Sequence, residues 1–93
     1  MRRGALSRDL VGFRALGRHG ELGVVVEVTE DPRADAQVIV VRGGVSDALT
    51  YFVPAARVHA LSCKSQTVHL DIDLTEFTPH LHEDGTVELR AAS

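Results

Sequence analysis

Cysteine, aromatic residues and long apolar runs are all scarce in this 93-residue chain. Because Cys63 is the single cysteine, neither an internal disulfide nor a cysteine-based metal cluster can form, and a reducing, cytoplasmic setting is expected. No apolar run approaches the roughly 20 residues of a membrane-spanning helix, so we expect no membrane association. Aromatic residues make up 4% of the chain, which leaves few rings on which nucleic-acid bases could stack.

Composition and charge are those of one small globular domain. Hydrophobic residues account for 44% and charged residues for 25%, which excludes general disorder. The formal net charge of −3 provides no basic field for nucleic acid. A cluster of arginines near the N-terminus, Arg2, Arg3 and Arg8, is the alternative route to phosphate contacts, but nucleic acid is not the expected partner. The excess of arginine over lysine, with much Ala, Gly and Val, is typical of bacterial proteins from GC-rich genomes.

Alternating apolar residues and glycine or proline turns predict a series of short strands. We expect strands at 10–16, 22–29, 37–42, 49–53, 58–61 and 67–72, a short helical turn near 75–79 and a terminal strand or hairpin near 86–90. So many strands in so short a chain favour a small barrel over a sandwich.

The valine pattern predicts which side chains face inward. In the second strand, Leu22, Val24, Val26 and Val28 share one face, and Val25 and Glu27 share the other. The continuous apolar run at 38–41 indicates a central strand buried on both faces. In the strand at 67–72, Val68, Leu70 and Ile72 are expected to point inward, and His69, Asp71 and Asp73 outward.

Four stretches together, in order and spacing, resemble the PRC-barrel family. They are Leu10-Val11-Gly12-Phe13, the glycine-marked hairpin at 20–28, Val38-Ile39-Val40-Val41-Arg42 and Tyr51-Phe52-Val53-Pro54. The resemblance, which is to small stand-alone bacterial members, implies an all-β fold: a strongly bent antiparallel barrel used for binding or assembly and not for catalysis. On this basis we expect a flexible N-terminus at 1–8, the barrel at 9–73 and a C-terminal extension at 74–93.

The leading functional hypothesis is a non-enzymatic interaction module that binds a protein partner or a second copy of itself. Open strand edges and exposed apolar side chains favour such pairing. The candidate partner-binding residues belong to the exposed part of the second strand and to the loop at 43–49, namely Val25, Glu27, Gly43, Gly44 and Leu49. No cofactor is expected.

The alternative is a domain that binds a metal or small ligand. His69, Asp71 and Asp73 alternate along one strand, and His59 could approach from its neighbour. Imidazole and carboxylate groups are good ligands for a divalent metal such as zinc. Catalysis is not expected, because Cys63 lacks the residue order of a known nucleophile signature and the glycine turns lack the Lys-Ser/Thr of a phosphate loop.

Overall fold

Eight β-strands form one sheet in the computed structural model, which describes residues 8–31 and 36–91. In chain order they are β1 (Arg14–Gly17), β2 (Gly20–Asp31), β3 (Ala36–Gly43), β4 (Leu49–Pro54), β5 (Val58–Ser62), β6 (Thr67–Leu70), β7 (Phe77–Leu81) and β8 (Val87–Ala91). Short 3₁₀ turns lie at Arg8–Leu10, Val45–Asp47, Ala55–Arg57 and Leu74–Glu76. Within the described ranges no helix is long and apolar enough to cross a membrane. The prediction of an all-β protein is confirmed.

Strand order in the sheet is β5-β6-β1-β2-β3-β4-β8-β7. The pairs β1/β6 and β4/β8 are parallel, and the remaining pairs are antiparallel. The sheet is therefore more mixed than the antiparallel barrel predicted from sequence, because β1 and β4 each accept a strand from a distant part of the chain. Hydrogen bonding leaves β5 and β7 as the two edges. The C-terminal hairpin belongs to the same sheet, since β8 pairs with β4.

The sheet bends so that one face encloses a single apolar core. The core cluster is Leu10, Phe13, Ala15, Leu22, Val25, Val28, Ile39, Val41, Tyr51, Val53, Val68, Leu70, Ile72 and Phe77. The rings of Tyr51 in β4 and Phe77 in β7 meet edge to face with centroids 5.1 Å apart. A sheet that buries one of its own faces in this way is strongly bent and barrel-like, as predicted. The side of the sheet away from this core is called the outer face below.

Strand β3 is buried on both of its faces, as its apolar run predicts. Ile39 and Val41 belong to the core and are 0% exposed, while Val40 is 7% exposed on the outer face. The inward direction predicted for Val68, Leu70 and Ile72 is also confirmed. These positions follow from local alternation alone.

The faces of β2 differ from the prediction because two β-bulges interrupt the alternation. The register with β1 skips Leu22, and the register with β3 skips Val26. Each extra residue turns the following side chains to the other face. The buried positions are consequently Leu22, Val25 and Val28, whereas Val24 and Val26 are about 40% and 39% exposed. The predicted exposure of Val25 is wrong.

The first strand starts later than predicted, at Arg14. Before it, the amide of Phe13 donates to the carbonyl of Leu10, and Gly12 has φ of 97°, a left-handed conformation that favours glycine. The expected flexible N-terminus at 1–8 lies outside the described residues except for the backbone of Arg8, and so do Arg2 and Arg3.

Candidate functional site

The five residues predicted to bind a partner do not share one surface. Val25 is 1% exposed and lies in the core, so it cannot contact a partner there. Gly43 is also buried, Gly44 is exposed with φ of 80°, and Leu49 is half-buried against the core. Of the predicted set, only Glu27 is exposed on the outer face, opposite Val40.

A different group of exposed side chains does lie together on the outer face. Direct cross-strand neighbours run from Arg14 in β1 to Val24 in β2 and on to Arg42 in β3. Both arginines are exposed, and Val24 between them is about 40% exposed. Neighbouring strands are about 4.8 Å apart, so the Cα atoms of the two arginines are about 10 Å apart. We call Arg14, Val24, Val26 and Arg42 the arginine–valine surface.

Neither guanidinium of this surface is used by the residues that the structure describes. Among the described residues, the side chains of Arg14 and Arg42 have no hydrogen-bond or ion-pair partner. Each guanidinium presents five N–H donors in a planar fork that matches phosphate and carboxylate oxygens. The sequence pattern did not reveal this pair, because Arg14 and Arg42 are adjacent only through the β1–β2–β3 register.

The neighbouring part of the outer face is apolar and carries a third arginine. Val40 pairs with Phe52, and Phe52 pairs with Arg90. The Arg90 guanidinium lies over the Phe52 ring, with its central carbon 4.4 Å from the ring centroid. Its nitrogens also contact Glu88 at 3.1 Å. Arg90 is therefore anchored, in contrast to Arg14 and Arg42.

The loop that the sequence predicted as an interaction site presents an apolar tip. Val45 is 89% exposed. It is flanked by Gly44 and by Ser46 and Asp47, which both have φ of 56°. The backbone of this turn is thus held in the left-handed region, which is costly for non-glycine residues.

Three of the four residues of the proposed metal site line one open cleft. His59, His69 and Asp71 line it together with Arg18, and its volume is about 300 Å³. Asp71 accepts from Arg18 Nε at 2.8 Å and contacts Nη2 at 2.7 Å. The hydrogen bond and positive charge of Arg18 lower the pKa of Asp71. A guanidinium on this carboxylate competes directly with any metal cation.

Asp73, the fourth residue, is used in a different way. Its side chain accepts from the Thr75 amide at 3.1 Å and contacts His19 Nε2 at 2.9 Å. These bonds, with that to the Thr75 amide the largest, lower the pKa of Asp73. In the part of the chain that the structure describes, no group of three or more His, Cys, Asp or Glu side chains could hold a metal ion. The structure does not assemble the predicted metal site.

The segment that follows β6 is fixed by a small polar network. Arg57 Nη1 donates to the Asp71 carbonyl at 2.6 Å, and Nη2 donates to the Glu76 carboxylate. Glu76 also accepts from the Asp73 amide at 2.8 Å, which completes a capping box with Asp73. The bond to that amide, followed by that to Arg57, lowers the pKa of Glu76.

Comparison with known proteins gives a fold neighbour and no family. No family model matches the chain, and no curated protein matches it. The crystal structure of RimM, a 16S ribosomal RNA processing protein of Pseudomonas aeruginosa, is similar with a TM-score of 0.59 and 17% identity. The match covers 78% of this chain and 49% of RimM, so the chain spans about half the length of that protein. The C-terminal domain of RimM is a PRC barrel, which supports a PRC-barrel-like fold here.

This neighbour corrects the expected choice of partner. From net charge and few aromatic residues, we expected a protein partner or a second copy and no nucleic acid. That expectation is wrong on nucleic acid, because a protein that shares the fold is a 16S ribosomal RNA processing protein. Net charge is a whole-chain average, and it conceals two arginines that lie together on one face and have no partner among the residues described. What the comparisons establish for this chain is its fold.

Proposed function

We propose that this chain is a non-enzymatic assembly module that binds an RNA component of a ribonucleoprotein particle through the arginine–valine surface. The observation that carries the proposal is the pair of guanidiniums of Arg14 and Arg42 on either side of Val24, which have no partner within residues 8–31 and 36–91. The fold neighbour, a 16S ribosomal RNA processing protein, supports the same class of partner. An exposed free thiol at Cys63 fits a reducing cytoplasmic location.

The contact chemistry is that of phosphate recognition. Arginine binds phosphate oxygens through charge-assisted, often bidentate hydrogen bonds. The exposed Val24 and Val26 add apolar contact area between and beside the two cations. Binding groups of this kind hold a partner in place and require no catalytic step.

Net charge determines how such binding behaves. With a formal charge of −3, the protein provides no long-range attraction for RNA, so affinity depends on a few local contacts. Each phosphate contact releases counterions, and we expect binding that weakens steeply as salt rises. Glu27 borders the surface and limits its positive potential on that side.

The test is binding of the purified chain to 16S ribosomal RNA, measured by filter binding at several salt concentrations. Replacing Arg14 and Arg42 with glutamine removes two phosphate contacts, and we expect the slope of log K against log salt to fall by about 1.4. Lys64→Gln is the control for the loss of one positive charge and is compared with the single variants Arg14→Gln and Arg42→Gln, because Lys64 lies in the turn between β5 and β6 and outside the surface.

Two results would overturn the proposal. One is RNA binding that is identical in the Arg14→Gln/Arg42→Gln variant and in the wild type. The other is binding to intact small ribosomal subunits without any binding to the deproteinised RNA, which would assign the contact to a protein component.

A further inference from the structure

The open cleft beside β1, β5 and β6 contains hydrogen-bond donors that the described part of the chain leaves unused. Among the described residues, the imidazoles of His59 and His69 have no hydrogen-bond partner. Arg18 uses Nε and Nη2 for Asp71, and its Nη1 has no partner within the same ranges. All three side chains line the same space of about 300 Å³.

Strand register explains why these residues meet. In the parallel pair β1/β6, Leu16 lies opposite His69. Arg18 follows Leu16 by two residues, and Asp71 follows His69 by two. Their side chains therefore lie on the same face and can form an ion pair. A bulge in β5 between Val58 and Ala60 inserts His59 beside the same position.

The donor and acceptor balance of the cleft defines its ligand. Arg18 carries five N–H donors and no acceptor, and an imidazole carries at least one N–H donor in either protonation state. Asp71, the carboxylate in the lining, is already bound by Arg18 and lies near Arg57 and His59, while Asp73 and Glu76 act on Arg18 from outside the lining. A ligand that fits these unused groups consists of acceptors and carries negative charge. We propose that this cleft is a phosphate-binding site, with Arg18, His59 and His69 donating to the phosphate oxygens.

The cleft adjoins the surface proposed to bind RNA, but the phosphate site does not depend on that proposed function. Leu16 lines the cleft and follows Arg14 by two residues on the outer face of β1, about 7 Å away. The cleft therefore continues the arginine–valine surface, and a phosphodiester of RNA is one source of the phosphate. A free phosphate or the phosphate of a mononucleotide is the other source, since the volume accommodates a small ligand.

The test is titration of the ¹⁵N-labelled full chain with inorganic phosphate at constant ionic strength, followed by NMR of the imidazole and guanidinium nitrogens. We expect saturable shifts at Arg18, His59 and His69. Arg18→Gln is expected to weaken phosphate binding about tenfold, and His59→Ala or His69→Ala about threefold. His80→Ala is the matched control, because His80 is an exposed histidine of β7 outside the cleft, and it should change binding less than about twofold.

Two results would refute the phosphate site. The absence of saturable shifts, or equal binding by Arg18→Gln, His59→Ala and the wild type, would refute the site. Arg18 and Asp71 are exposed, so Arg18→Gln should fold, and His59→Ala provides independent evidence if it does not.

A short RNA oligonucleotide then separates the two phosphate sources. Displacement of phosphate by the oligonucleotide assigns the site to the RNA backbone. Oligonucleotide binding that depends on Arg14 and Arg42 but leaves phosphate bound assigns it to a free phosphate. Phosphate binding without any RNA binding would support this site while refuting the proposed function.

Discussion

Gly23 of β2 and Gly43 of β3 pack backbone against backbone, with no space for a side chain at either position. A Cβ on Gly23 would lie 2.1 Å from the Arg42 carbonyl oxygen, and a Cβ on Gly43 would lie 1.9 Å from the Leu22 carbonyl oxygen. Real Cβ atoms do not approach backbone atoms this closely. The contact lies next to the Leu22 bulge and holds β2 and β3 in the register that places Arg42 beside Val24.

Replacement of Gly43 by alanine should therefore strongly destabilise the fold. The obstructing atom belongs to the backbone, so relief requires movement of a strand, and we expect a loss of about 3 kcal/mol or more in the free energy of unfolding. Chemical denaturation measures this loss. Gly85→Ala is the control, because Gly85 has open space around it but φ of 90°, and we expect it to cost about 1 kcal/mol. Equal costs for the two variants would show that the close approach is unimportant.

The bulge at Val26 predicts unequal losses of stability when each of two adjacent valines is replaced. Val25→Ala removes a side chain that is 1% exposed and should cost about 2 kcal/mol. Val26→Ala alters a side chain that is 39% exposed and should cost less than about 1 kcal/mol. Thermal or urea unfolding of both variants measures the difference. The reverse order would mean that β2 follows the simple alternation predicted from sequence.

Acid should weaken the fold through Asp73 and Glu76. The folded state lowers both pKa values, so the unfolded state binds more protons in acid. The resulting stabilisation is complete above the usual pKa values of 3.8 and 4.5, and it is lost as the pH falls through the lower values of the folded state. Glu76→Gln should lower the melting temperature at pH 7 and flatten its decline in acid.

Glu83 provides the control for this pH dependence. It is an exposed carboxylate that has no ion pair within the described residues. Glu83→Gln should leave both the melting temperature at pH 7 and its slope in acid nearly unchanged. If Glu76→Gln and Glu83→Gln gave superimposable pH profiles, the network of Arg57 and the capping box would not contribute to acid sensitivity.

Metal removal should leave the protein unchanged. Arg18 occupies the Asp71 carboxylate, and Asp73 caps the turn at Leu74–Glu76, so both carboxylates first considered as ligands are committed elsewhere. We expect the same melting temperature with and without a strong chelator. A rise in melting temperature on addition of zinc that disappears in His69→Ala would contradict this prediction.

Local patterns were sufficient to predict much of the architecture. The apolar run at 38–41 indicated a strand buried on both faces. The inward direction of Val68, Leu70 and Ile72 was also predicted. In each case the determinants are within a few residues of the feature they specify.

The features that were missed depend on which strands become neighbours. A bulge at Val26 exists only relative to β3, and the exposed row of Arg14, Val24 and Arg42 requires both the β1–β2 and the β2–β3 registers. The same holds for Arg18, which joins the predicted neighbours His59 and His69 in the cleft although it is far from both in sequence. Alternation within one strand contains no information on such pairings.

The parallel pairs β1/β6 and β4/β8 also set an order for folding. Strands β1 to β4 are consecutive in sequence and adjacent in the sheet, so their contacts close only short loops. Pairing of β6 with β1 brings Thr67 to Arg14, and pairing of β8 with β4 brings Val87 to Leu49, which are contacts of high sequence separation that slow folding. The arginine–valine surface belongs to the early meander, whereas the phosphate cleft is completed only when the late strands dock.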